Sequence, residues 1–196
     1  MERKLTIIGD VHGKVNQYKE IIDHCQESIC VGDFGFKTQW NWAKDNLVNL
    51  KHWINQGNHD DTSFRNSIPS IGKFSFYKNA IFTVAGADSI DKHLRREGVD
   101  WFPDEELSYS QGLECFDYYK VCKPKIVITH DCPQEVMKEL FGYSDKSQTR
   151  NLLQAMFEIH QPEIWVFGHH HKSCNILIKG TTFICLNELE TIELEY

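Results

Sequence analysis

The sequence predicts an α/β fold, a sandwich of two mixed parallel and antiparallel sheets flanked by helices, within one domain spanning residues 1–196. Three observations lead there. The first half alternates short apolar runs with polar, helix-permissive stretches. The last part of the chain carries several short strand-like runs in close succession. A length of 196 residues supports one sizeable core and leaves no room for a second comparable unit. An apolar share of 41% and a charged share of 25% argue against a disordered, fibrous or membrane-embedded chain.

The elements follow in order. Leu5 to Ile8 reads as a strand, Val15 to Glu27 as a helix and Ile29 to Val31 as a strand. Gln39 to Leu47 reads as a helix and His52 to Ile54 as a third strand, a β-α-β-α-β rhythm that implies partly parallel pairing. Strands are expected at Phe74 to Tyr77 and Ala80 to Gly86, and a helix near Pro103, whose Asp104, Glu105 and Glu106 suit a first turn. Lys125 to Thr129 is a strand, and Ser147 to His160 a helix with Leu152, Leu153, Met156 and Phe157 on one face and Pro162 just beyond. After Ile164 to Phe167, the runs Asn175 to Ile178, Thr182 to Leu186 and Thr191 to Leu194 read as a closing antiparallel meander.

Met1 to Asp10 puts charge before an apolar run too short for a signal segment or a membrane span, so a cytoplasmic protein without a membrane partner is expected. Seven cysteines, an odd number with no C-x-x-C spacing, read as reduced thiols, with Cys30 and Cys185 as small buried hydrophobes. A formal charge of -7 disfavours broad binding to a nucleic-acid backbone and leaves a phosphate substrate open, because bound divalent cations invert the sign of a local field. The five tryptophans read as core or rim packing, since no run of basic residues interleaves with them.

Residues with metal-ligand chemistry stand at the ends of these strands. The first strand runs into Gly9-Asp10-Val11-His12, the second into Gly32-Asp33, and the third, after a short link, into Gly57-Asn58-His59-Asp60. The strand ending at Thr129 runs into His130, and the one ending at Phe167 into Gly168-His169-His170-His171. In α/β sheets, ligands bind outside the carboxyl ends of strands, so these groups can converge. Carboxylate and amide oxygens mixed with imidazole nitrogens suit manganese, iron or zinc rather than calcium. Glycines before Asp10, Asp33, Asn58 and His169 are expected to supply tight turns.

The ordered set D-x-H, G-D, G-N-H-D, strand-terminal His and G-H-x-H closely resembles the calcineurin-like metallophosphoesterase superfamily, from Asp10 to His171. The resemblance implies that Asp10, His12 and His171 hold one divalent ion, that Asn58, His130 and His169 hold another, and that Asp33 bridges them. It also implies that a hydroxide between the ions attacks a phosphate ester while His59 assists the leaving group, with Asp60 orienting His59 and keeping it protonated. The expected cofactor is two divalent ions per chain, manganese first, with iron, zinc, nickel or magnesium as alternatives. His24, His52, His160 and His170 fall outside the motifs.

The second motif reads Gly32-Asp33-Phe34-Gly35-Phe36 and the third ends in Asp60, so the chain departs from the Ser/Thr protein phosphatase pattern, which has a following Asp-Arg and a Glu. Asp10 departs from the lariat-debranching pattern, which carries Cys there. The stretch Gly86 to Arg96 and Asp100 to Leu107 looks like one found in small bacterial and bacteriophage metallophosphoesterases. Within it, Arg95 and Arg96 are candidates to bind the substrate phosphate, the other reading being a solvated loop with ion pairs to Asp91 or Glu97. The expected activity is hydrolysis of a phosphodiester or a phosphomonoester. Two competitors stand beside it, a nuclease or nucleotide phosphodiesterase and a catalytically silent protein-interaction scaffold.

Overall fold

In β1 (Lys4–Ile8), Leu5 and Ile7 face one way and Ile8 the other, yet both sides are buried, which requires a layer against each face of the sheet. The computed structural model, which describes residues 4–145 and 147–196, supplies both layers. Met1 to Arg3, at the start of the N-terminal segment read above, lie outside the described residues.

Strands β1, β2 (Ser28–Cys30) and β3 (His52–Ile54) pair in parallel, and β10 (Thr191–Glu195) joins the free edge of β1 antiparallel, with Lys4 opposite Glu195. The second sheet has six strands in the order β4 (Phe74–Tyr77), β5 (Ile81–Val84), β6 (Ile126–Thr129), β7 (Ile164–Phe167), β9 (Thr181–Cys185) and β8 (Cys174–Ile178). Its inner strands β5, β6, β7 and β9 are parallel, and β4 and β8 close the two edges antiparallel.

The sheets face each other across an aliphatic core that includes Leu5, Ile7, Ile29 and Val31 from one side and Ile126, Ile128 and Val166 from the other. Helices α1 (Val15–Ile22) and α2 (Lys37–Leu47) cover the outer face of the four-stranded sheet through Tyr18, Ile22, Trp40 and Leu47. On the outer face of the six-stranded sheet, α3 (Tyr109–Cys122) and α5 (Gln148–Ile159) bury Tyr119, Leu153, Met156 and Phe157 against Val127, Trp165 and Phe183. The sandwich is as expected.

Several elements differ from the sequence reading. The helix expected near Pro103 begins only at Tyr109, because the start signal is Ser108 with Gln111. Ser108 Oγ accepts from the Gln111 backbone, and the Gln111 side chain accepts from Ser108 N–H at 3.0 Å. Glu105 instead turns inward. Helix α4 (Gln134–Phe141), between Pro133 and a left-handed Gly142, is an element the sequence reading lacked. The closing meander does not form: β8 and β9 pair with each other, but β9 then continues the parallel run beside β7, and β10 crosses to the other sheet. The first helix ends at Ile22, short of Glu27.

All seven cysteines are free, and Cys30 and Cys185 are buried. Trp40 and Trp165 are fully buried. No described helix is long and apolar enough to cross a membrane.

Candidate metal centre

Because β1, β2 and β3 are parallel to one another, as are β6 and β7, their carboxyl ends emerge along common edges, and the loops that follow carry Asp10, His12, Asp33, Asn58, His130, His169 and His171 into one cleft. Two donor groups result. Ligand atoms of Asp10, His12, Asp33 and His171 lie within 4.8 Å of one another, and so do those of Asp33, His130 and His169. Asp33 belongs to both.

The contacts are close. His12 Nε2 and His171 Nε2 are 2.7 Å apart, and His171 Nε2 is 3.4 Å from Asp10 Oδ2. His130 Nε2 lies 3.3 Å from Asp33 Oδ1 and 3.1 Å from Asn58 Oδ1. Backbone N–H groups steady the carboxylates: His169 donates to Asp10 Oδ2 and His59 to Asp33 Oδ1, both at 2.9 Å.

The backbone explanation differs from the one expected of the glycines. The left-handed conformation falls mainly on the donor residues themselves, with φ of 46° at His12, 47° at Asp33, 66° at His169 and 49° at His171. Asp and His tolerate this region better than most side chains, at a cost of about 1–3 kcal/mol each. Gly57 and Gly168 serve close approach. A Cβ on Gly57 would meet Asp33 Oδ1 at 2.1 Å, and one on Gly168 would meet Asp10 Oδ1 at 2.1 Å.

Electrostatics match a cation site. Burial alone would raise the Asp33 carboxyl, but His130, His59 and His12 outweigh it and hold it far below the usual range. Burial likewise lowers His130, and the carboxylates of Asp33 and Asp10 overcome it, raising the ring to about 10. Burial drives His169 down to about 3, which keeps its imidazole neutral, the form that ligates metal. Among the described residues, the buried atoms Asp10 Oδ1 and His130 Nδ1 have no hydrogen-bond partner. Two buried carboxylates, the neutral imidazole of His169 and unpartnered donor atoms make a set that fits divalent ions, whose charge would take the place of the proton that the carboxylates otherwise hold on His130.

His59 lines the cleft beside the donor groups, with Arg95 Nη2 3.4 Å from its Nε2. Its Nδ1 has no partner among the described residues, and burial lowers its pKa. The orienting contact expected of Asp60 is absent: Asp60 accepts from Gly35 N–H at 2.8 Å, Trp40 Nε1–H at 3.1 Å and Gly57 N–H at 2.8 Å, tying two site loops to α2 instead. Its side chain is fully buried and engaged by those three donors, none of them from the His59 ring.

Arg95 is held by Asp91 through two bonds, Nε to Oδ1 at 2.7 Å and Nη2 to Oδ2 at 2.8 Å, and faces the cleft on both sides of His59. Arg96 is not brought there; its side chain is 78% exposed and reaches only toward Asp100. His170 belongs to neither of these donor groups; it lines the cleft beside His169, and its Nε2 lies 3.2 Å from Asp131 Oδ1.

Sequence reasoning missed Arg150, which is fully buried on α5, pairs with Asp131 at 2.8 Å and with Asp145, and brings Nη2 within 3.4 Å of His169 Nε2. It also missed Ser89, which accepts from Asn58, and Glu105, which accepts from Ser89. The available signal was Asp131 directly after His130, an acid that a buried base must answer.

The family model described as calcineurin-like phosphoesterase matches residues 3–173. No curated protein matches the sequence. Among solved structures, a dimetal phosphatase from Danio rerio superposes with a TM-score of 0.58 at 12% identity, covering 95% of this chain and 87% of that one. A phosphopantetheinyl hydrolase from Mycobacterium tuberculosis superposes with a TM-score of 0.57 at 14% identity, covering 95% and 90%. GAP50, the anchor in the inner membrane complex of Plasmodium, superposes with a TM-score of 0.53 at 12% identity, covering 95% and 71%. At such identities the likeness is one of fold, and the family match over most of the sequence carries the assignment. The chain belongs to the calcineurin-like phosphoesterase family and is, as such, a metal-dependent phosphoester hydrolase.

Proposed function

We propose that the chain, acting as one domain, hydrolyses a small phosphate ester at a dinuclear centre, with manganese as the metal. Asp10, His12 and His171 hold one ion, Asn58, His130 and His169 hold the other, and Asp33 serves both. The observation that carries this reading is the pair of donor groups sharing the single carboxylate of Asp33.

When bound, two such ions supply a water activated at neutral pH and neutralise charge on the transferring phosphoryl group. The chain's own residues do the rest. The bond from the His59 backbone N–H to Asp33 Oδ1 ties His59 to the cleft wall, and in this reading its ring serves the leaving oxygen. Arg95, already oriented by Asp91, offers a guanidinium to a non-bridging phosphate oxygen or a second anionic group. Clefts of about 340 and 300 Å³ flank His59 and Arg95, which suits a small ester.

The reading is tested by stripping the protein of metal and restoring Mn²⁺, Ni²⁺, Mg²⁺ or Zn²⁺ before assay on matched aryl phosphate monoester and diester substrates. Activity is expected to return with Mn²⁺, and the ratio of the two rates assigns the ester class. Asp33→Asn is expected to abolish turnover and weaken binding of both ions, because a neutral amide is a poor bridge between two cations. A variant that turns over near the wild-type rate with two ions bound sinks the reading.

A further inference from the structure

An asparagine amide can face a metal with either its oxygen or its nitrogen, and only the oxygen is a ligand. Around Asn58 the hydrogen bonds select one orientation. Asn58 Nδ2 donates to Ser89 Oγ at 2.9 Å, Ser89 Oγ donates to Glu105 Oε2 at 2.6 Å, and Ser89 N–H donates to Glu105 Oε1 at 2.9 Å. All three residues are buried, at 2%, 2% and 3% exposure.

The selection comes from counting protons. The Ser89 hydroxyl has one, and it is directed to Oε2 of Glu105, whose other oxygen accepts the Ser89 backbone N–H. Toward Asn58 the hydroxyl therefore presents lone pairs alone, so the amide must turn its NH₂ to Ser89. Its oxygen is left on the opposite side, 3.1 Å from His130 Nε2.

We propose that Ser89 and Glu105 are positioning residues, a relay that holds the Asn58 carbonyl toward the second ion without itself touching ion or substrate. The inference rests on the dinuclear reading. It links the segment from Ala87 to Leu107, whose Arg95 faces the cleft, to the ligand geometry. It also accounts for Glu105, which the sequence placed in a helical first turn and the structure buries beside Ser89.

The test is a calorimetric Mn²⁺ titration of metal-stripped protein, with the melting temperature of the metal-free form as a check on folding. Wild type is expected to bind two ions. Ser89→Ala is expected to weaken one of them by about 10- to 100-fold, the range for removing a group that orients a ligand, and to leave the other unchanged. Ser89→Thr, which keeps the hydroxyl, is expected to restore both. If Ser89→Ala does not fold, Glu105→Gln carries the same readout, because an amide no longer commits the Ser89 proton. A folded Ser89→Ala that binds both ions as wild type does overturns the inference, and so does equal loss at both sites with a fall in the metal-free melting temperature. Wild type binding fewer than two ions overturns the dinuclear reading itself, and that result is visible before any variant is made.

Discussion

The indole N–H of Trp40 donates to Oδ1 of Asp60 across 3.1 Å, and the same carboxylate accepts from Gly35 and Gly57. Asp60 is thus a clamp between α2 and two loops of the site. Asp60→Ala leaves three buried donors unsatisfied at about 1–3 kcal/mol each, so a large fall in the unfolding midpoint is expected, and activity should follow folding. A variant with unchanged thermal stability and lowered kcat would restore the orienting role.

His59→Ala is expected to lower kcat by about 10²- to 10⁴-fold, the span for proton transfer or its equivalent at a leaving group, while the protein still binds two ions. Metal analysis of the purified variant is the check. Loss of an ion along with activity would make His59 a ligand.

For the two arginines the outcomes should diverge. Arg95→Ala is expected to raise KM more than it lowers kcat on a substrate with a second anionic group, by about 1.5–3 kcal/mol, and to change little with a simple aryl phosphate. Arg96→Ala, at an exposed position, should stay within about 0.5 kcal/mol on either substrate. Parallel Michaelis–Menten series decide it.

Away from the centre, Glu27 accepts from Tyr77 and Lys78, and from the Tyr196 hydroxyl at 3.3 Å. Burial alone would raise its carboxyl, but the bonds from Lys78 and Tyr77 outweigh that and bring it below the ordinary 4.5. A carboxyl depressed in the folded state stabilises above its unfolded value and loses that stabilisation as pH falls through the folded one. Glu27→Gln is therefore expected to cost about 1–3 kcal/mol at pH 7 and less at a pH well below 4.5. Urea unfolding of both proteins at the two pH values measures it; a constant difference would refute it.

The donors were legible because each stands in a short contiguous motif at or soon after the end of an apolar run, as Asp10 does after Leu5 to Ile8, so local sequence alone marked them. Ser89, Glu105 and Arg150 were not, because each acts through a partner distant in sequence: Ser89 meets Asn58 and Glu105, and Arg150 meets Asp131. Asp60 was legible as a motif residue but not in its role, since Trp40 and Gly35 become its partners only once α2 folds over β3. The three closing runs read correctly as strands. Their partners did not, because β9 has an apolar face suited equally to a hairpin and to the parallel edge of β7.

The two donor groups each draw on both sheets. Asp10, His12, Asp33 and Asn58 follow strands of the four-stranded sheet, whereas His130, His169 and His171 follow strands of the six-stranded one. Any ion held there is a cross-link between the layers of the sandwich, and the aliphatic seam behind it is held shut by coordination as well as by burial. Occupancy then becomes a component of fold stability through mass action, about 2.7 kcal/mol for one site at a hundredfold excess over Kd. A cell's free metal level would therefore set how much of this protein survives as well as how fast each molecule works.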